Sequence, residues 1–145
     1  MDCAMSDRDV KLIADGGIKS SGDAVKAIAA GADFVMLGSL FAGTLEAPGE
    51  ILTVGDKRFK KYRGMAAGEA QIDWRGHSSS IEGVTHMLPY RGTVTKILKE
   101  LEAGIRSGLS YSGVLNISEL QSKAQFIKQT SAGLYESKTH IKARY

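Results

Sequence analysis

Two short apolar runs, each stopped by glycine and each followed by a helix start, constrain this chain more than any other feature. The first is Lys11-Leu-Ile-Ala, closed by Asp15-Gly16-Gly17; the second is Asp33-Phe-Val-Met-Leu37, closed by Gly38-Ser39. A strand with one wet face alternates polar and apolar residues, whereas a strand covered on both faces is apolar throughout. The two runs therefore predict parallel strands buried on both sides. Between them, Ser20 or Ser21 can cap a helix, Asp23 suits its positive end, and Val25, Ile28 and Ala29 give apolar spacings of three and four before Gly31 closes it. Residues 11–43 read as strand, helix, strand and helix start, the repeating unit of an α/β fold.

Composition narrows the class. The 145 residues are 43% hydrophobic, enough for one globular domain with a core of its own. One cysteine allows neither an internal disulfide nor a cysteine-based zinc site and suits a reducing cytoplasm. No apolar stretch approaches the roughly 20 residues of a membrane span, and the N-terminus lacks the basic-then-apolar order of a signal peptide. His77, His86 and His140 lack metal-ligand spacing. The net charge of +3 is local: Lys57, Arg58, Lys60, Lys61 and Arg63 crowd one segment, and acidic residues outnumber basic ones elsewhere. That segment reads as a solvated strand or loop. Its aromatics, Phe59 and Tyr62, are too few for a stacking platform, so no nucleic-acid partner is expected.

After Pro48-Gly49 the pattern changes. Glu50 to Tyr62 alternates around Gly55-Asp56 and predicts a β-hairpin. Residues 64–92, rich in glycine and serine, predict a short helix at Ala67–Trp74 and a mobile loop from Arg75 to Gly83. Val94, Ile97, Leu98, Leu101 and Ile105 give a helix from Thr93 to about Arg106, and a shorter one runs from Ile117 to about Ala124 with Ser118 as its cap. Thr130–Tyr145 reads as an extended tail. The glycine turns after the two strands can converge backbone N–H groups on a phosphate, as the loops after the last two strands of a (β/α)8 barrel do, and Asp15 at a strand tip can accept from two ribose hydroxyls. On spacing alone, plain strand-to-helix connections fit the same glycines.

The runs Ile13-Ala-Asp-Gly-Gly-Ile18, Val35-Met-Leu-Gly-Ser-Leu40, Glu46-Ala-Pro-Gly49, Tyr62-Arg-Gly-Met65, Glu82-Gly83 and Pro89-Tyr-Arg-Gly92 resemble, in order, the C-terminal part of the IMP dehydrogenase / GMP reductase family. The resemblance covers nearly the whole chain. It implies the C-terminal portion of a (β/α)8 TIM barrel with a hairpin and flap insertion and an extended tail. Residues 1–49 would supply the last two βα units, 50–92 the hairpin and flap, and 93–145 the terminal helices and tail. It also implies nicotinamide-linked chemistry on a purine nucleotide, GMP or IMP, in a homo-oligomer that is tetrameric in the intact family. By that resemblance Asp15 is the ribose ligand, Gly16, Gly17, Gly38 and Ser39 form the phosphate cradle, and Tyr62 reaches the phosphate. Gly64, Met65 and Ala66 read the purine edge, and Glu82 and Gly83 bind the base.

The flap carries Trp74-Arg75-Gly76 and no Arg-Tyr pair of the kind that activates water in the dehydrogenases. This favours GMP reductase, which converts GMP to IMP and ammonia with NADPH. IMP dehydrogenase, with NAD, is the alternative. In the reductase reading Ser107 and Tyr111 resemble residues that contact the cofactor of a neighbouring subunit. Ser131-Ala-Gly-Leu-Tyr-Glu-Ser137 instead resembles the dehydrogenase tail, which makes Glu136 and Ser137 candidates for a potassium site. The family nucleophile is a cysteine after an earlier barrel strand, and Cys3 lies in a different context, so no residue here is assigned as catalytic. Two kinds of protein fit. One is part of an oxidoreductase completed by an N-terminal half that holds the cysteine; the other is a non-catalytic nucleotide-binding or assembly module.

Overall fold

The computed structural model describes residues 2–5, 9–64, 68–77 and 85–137. A 3-10 turn at Asp2–Met5 precedes β1 (Ile13–Asp15), α1 (Ser21–Ala29), β2 (Phe34–Met36) and the short α2 (Ser39–Ala42). β1 and β2 pair in parallel, with Ile13 opposite Phe34 and Asp15 opposite Met36. Asp33 anchors the pair: its carboxylate accepts from the Leu12 N–H at 2.9 Å and from Lys11. Ser20 caps α1, which settles the choice between the two serines. The Ser20 hydroxyl donates to Asp23 Oδ2 at 2.8 Å and accepts from the Asp23 N–H at 3.2 Å, while Ser21 is already the first helical residue.

The two strands are parallel, as expected, but they are not covered on both faces. Ala14 and Val35 turn inward and are half-buried, with Val35 packed on the core formed by Ile28, Ala29, Val114 and Leu120. On the opposite face Phe34 is 58% exposed, and Ile13 and Met36 are similarly open. The apolar pattern of that face calls for a cover that the described residues do not contain.

α4 (Val94–Tyr111) runs one turn and more beyond its expected end and packs along α1. The contact needs glycine: a Cβ on Gly108 would lie 2.6 Å from Val25 Cγ2, and one on Gly104 would strike Ser21. α5 (Ile117–Lys123) is capped by Asn116, whose side chain accepts from the Glu119 N–H at 2.9 Å, and not by Ser118. The tail is not extended throughout. Thr130 caps a short α6 (Ser131–Glu136), an arrangement in which a threonine hydroxyl accepts from the Gly133 N–H.

The hairpin expected after Pro48 forms from β3 (Ile51–Val54) and β4 (Lys57–Arg63). It gains a third antiparallel strand, β5 (Thr85–Pro89), which pairs with β4 from Arg63↔Thr85 to Phe59↔Pro89. A strand ending in proline inside a glycine- and serine-rich stretch gives a weak signal, and proline is tolerated here because β5 lies at the edge of the sheet. α3 (Gly68–Arg75) matches the expected short helix to within a residue. The expected mobile loop lies mostly in residues 78–84, outside the described residues.

Candidate functional site

Because β1 and β2 run in parallel and in register, the turns that follow them leave the sheet side by side. Asp15 ends β1 and is exposed. Gly16 and Gly17 follow with φ of +87° and +76°, a left-handed pair that side chains resist, and a Cβ on either would meet nothing within 4 Å. These glycines are required by the backbone path and not by packing. After β2, Gly38 opens α2 without any side chain capping the helix. Its carbonyl accepts from the N–H groups of Phe41 and Ala42, and Ser39 is exposed at the first helical position.

β4 brings Tyr62 to the same place. Gly38 and Tyr62 line one cleft of about 860 Å³, walled by Phe41, Pro48, Glu50 and Trp74. Gly64 follows β4 and is half-buried, while Asp15, Gly16 and Gly17 stand at the neighbouring strand end and do not line the cleft. Met65, Ala66, Glu82 and Gly83 lie outside the described residues, as does the side chain of Cys3.

The remaining expected residues are elsewhere. Ser107 and Tyr111 sit one helical turn apart near the C-terminal end of α4, both exposed, with Tyr111 92% accessible. Glu136 closes α6, and the Ser137 hydroxyl donates to the Leu134 carbonyl at 2.9 Å. Among the described residues no group of three or more histidine, cysteine, aspartate or glutamate side chains converges as a metal site, and no helix is long and apolar enough to cross a membrane.

The basic segment is not simply a solvated face. Lys60 is 3% exposed and its ammonium donates to the Leu45 carbonyl at 3.2 Å. The Arg58 guanidinium lies over the Tyr90 ring, 4.5 Å from its centroid, and Arg63 pairs with Asp73 on α3. Sequence reasoning also misses Glu46: its carboxylate accepts from the Val94 N–H at 2.8 Å and so caps α4, which Thr93 leaves without a side-chain cap. For Lys60 the available signal is its spacing of two from Tyr62, which puts both on one face of β4. Glu46 caps a helix 48 residues away and gives no local signal.

Residues 1–140 match the IMP dehydrogenase / GMP reductase domain. The chain belongs to the IMP dehydrogenase / GMP reductase family. It is 48% identical to an inosine-5'-monophosphate dehydrogenase of Nitrosopumilus maritimus, over 97% of this chain and 32% of that protein. It is 45% identical to a GMP reductase of Leishmania major, over 97% of this chain and 31% of that one. The fold superposes with a TM-score of 0.84 on a GMP reductase from Trypanosoma brucei crystallised with guanosine 5'-monophosphate, at 45% identity, over 92% of this chain and 28% of that one. The chain thus spans about a third of the length of these family members. Both branches of the family stand at similar distance, so family membership is decided and the branch is not.

Proposed function

We propose that this chain supplies the phosphate, ribose and base contacts of a purine nucleotide oxidoreductase, and that the reaction is the NADPH-dependent reductive deamination of GMP to IMP and ammonia. The observation that carries the proposal is the cleft that the Gly38 turn and Tyr62 both line, beside the Asp15-Gly16-Gly17 turn. The start of α2, which no side chain caps, and the left-handed glycine pair offer backbone donors to a phosphate, and the exposed Asp15 carboxylate offers acceptors to ribose hydroxyls. Trp74-Arg75-Gly76 in the flap, where the dehydrogenases carry their Arg-Tyr pair, favours the reductase. The same site would serve NAD-dependent oxidation of IMP to XMP, and the resemblance of the Ser131–Ser137 tail to that of the dehydrogenases favours that second reading.

NADPH, when bound, supplies hydride to purine carbon 2. Ser107 and Tyr111 fit a cofactor held by a neighbouring subunit, because both face outward on one side of α4. The resemblance of the tail supports Glu136 and Ser137 as potassium-site residues. The nucleophilic cysteine belongs to a complementing N-terminal half of the barrel, and the assembly is a cytoplasmic homo-oligomer.

Calorimetric titration of the 145-residue chain with GMP and IMP tests the grip. Micromolar binding that Asp15→Ala weakens at least about tenfold is expected, the loss of hydrogen bonds to a charged group. Absence of binding by the native chain would overturn the nucleotide reading for this chain alone. Consumption of NADPH with GMP, or of NAD with IMP, after mixing with a cysteine-bearing N-terminal half then separates the two reactions.

A further inference from the structure

The segment Gly43–Glu46 is held by four hydrogen bonds, three to residues 91–94 and one to Lys60. The Gly43 carbonyl accepts from the Arg91 N–H at 2.8 Å, and the Leu45 N–H donates to the Gly92 carbonyl at 2.8 Å. The Leu45 carbonyl takes the Lys60 ammonium, and the Glu46 carboxylate caps α4 at Val94. Packing leaves no slack, since a Cβ on Gly43 would lie 2.6 Å from the Pro89 carbonyl. This segment is the strap between α2, which begins at the Gly38-Ser39 turn, and residues 47–50, which wall the cleft and lead into β3.

A lysine removed from water is retained only when something accepts from it. Lys60 occupies the central strand of the sheet, opposite Ile51 on β3 and Leu88 on β5. Its bond to Leu45 therefore ties the middle of that sheet to the strap. Tyr62 is two residues along on the same face, so the tie also sets where Tyr62 stands relative to Gly38 and Ser39. The geometry points to Lys60 and Glu46 as positioning residues: the strap they clamp fixes the separation between Tyr62 and the Gly38-Ser39 turn across the cleft. The inference deepens the nucleotide reading and rests on it for its effect on binding, but the clamp itself is a property of the ligand-free chain.

Backbone amide NMR of the ligand-free chain decides it, with GMP titration alongside. Lys60→Met keeps the stem and removes the donor, and Glu46→Ala removes an exposed cap without touching the interior. Glu46→Gln keeps an acceptor. Lys60→Met and Glu46→Ala are each expected to shift and broaden the Gly38, Ser39 and Tyr62 amides and to weaken GMP binding about tenfold, whereas Glu46→Gln retains native spectra and affinity. Lys57→Met, an exposed member of the same basic run, is expected to change neither. Native Gly38, Ser39 and Tyr62 resonances in folded Glu46→Ala would overturn the inference, and so would displaced resonances with unchanged GMP affinity. If Lys60→Met fails to fold, the comparison of Glu46→Ala with Glu46→Gln decides between the two outcomes. If the unsubstituted chain binds no GMP, it is the proposed function that falls, and the ligand-free spectra still decide the clamp.

Discussion

Asp23 gathers three donors around one carboxylate. The Lys26 ammonium is the strongest, followed by the Ser20 hydroxyl and the Lys19 N–H, and together they lower its pKa from the ordinary 3.8 to about 2. Its stabilising contribution is complete above the unfolded value and is lost as pH falls from about 4 toward 2. Asp33 acts in the same direction, held below the usual range by the Leu12 N–H and by Lys11. Asp23→Asn is therefore expected to cost about 1 kcal/mol at neutral pH, a figure reduced for solvent screening, and to flatten the acid limb of stability. Urea unfolding at pH 7 and pH 3 checks both. Gly104 tests steric fit instead. Alanine in a helix interior normally gains up to about 1 kcal/mol over glycine, but here a Cβ strikes Ser21, and the clash should dominate. Gly104→Ala should lower the melting temperature, and adding Ser21→Gly should recover most of the loss.

Among the elements, α5 separates two readings of the same stretch. Ser118 is the cap that the sequence suggests, yet Asn116 holds the Glu119 N–H and Ser118 is exposed inside the helix. Asn116→Ala should cost about 1 kcal/mol and Ser118→Ala almost nothing, as thermal unfolding would report. What is legible in the sequence is what acts locally. Uniform apolar runs, glycine stops and the Gly55-Asp56 turn are of that kind, so β1, β2, α1 and the hairpin can be read from neighbouring residues alone. β5 cannot, because its partner is a strand some 25 residues earlier in a register visible only in three dimensions. The site divides along the same line. Asp15, Gly16, Gly17, Gly38 and Tyr62 sit on locally coded turns and strands. Lys60 and Glu46 act across long separations, and in the sequence they look like ordinary surface charges.

At the scale of the whole chain, the open face of β1 and β2 is the feature expected to govern association in solution. Ile13, Phe34 and Met36 form an apolar patch on strands that the described residues cover from one side only. Sedimentation velocity should show concentration-dependent association of the isolated chain, and Phe34→Asp should shift it toward monomer; a native chain that stays monomeric across the accessible range would contradict this. A different consequence follows from the paired hydrogen bonds joining Gly43 to Arg91 and Leu45 to Gly92. They bring the two ends of the intervening sheet and flap to a single doorway, so that whole excursion is stitched shut at its base. Lengthening a closed loop costs only about 0.6 kcal/mol per doubling. Residues beyond the doorway can therefore change in number and kind while the frame of strands and helices below remains unchanged.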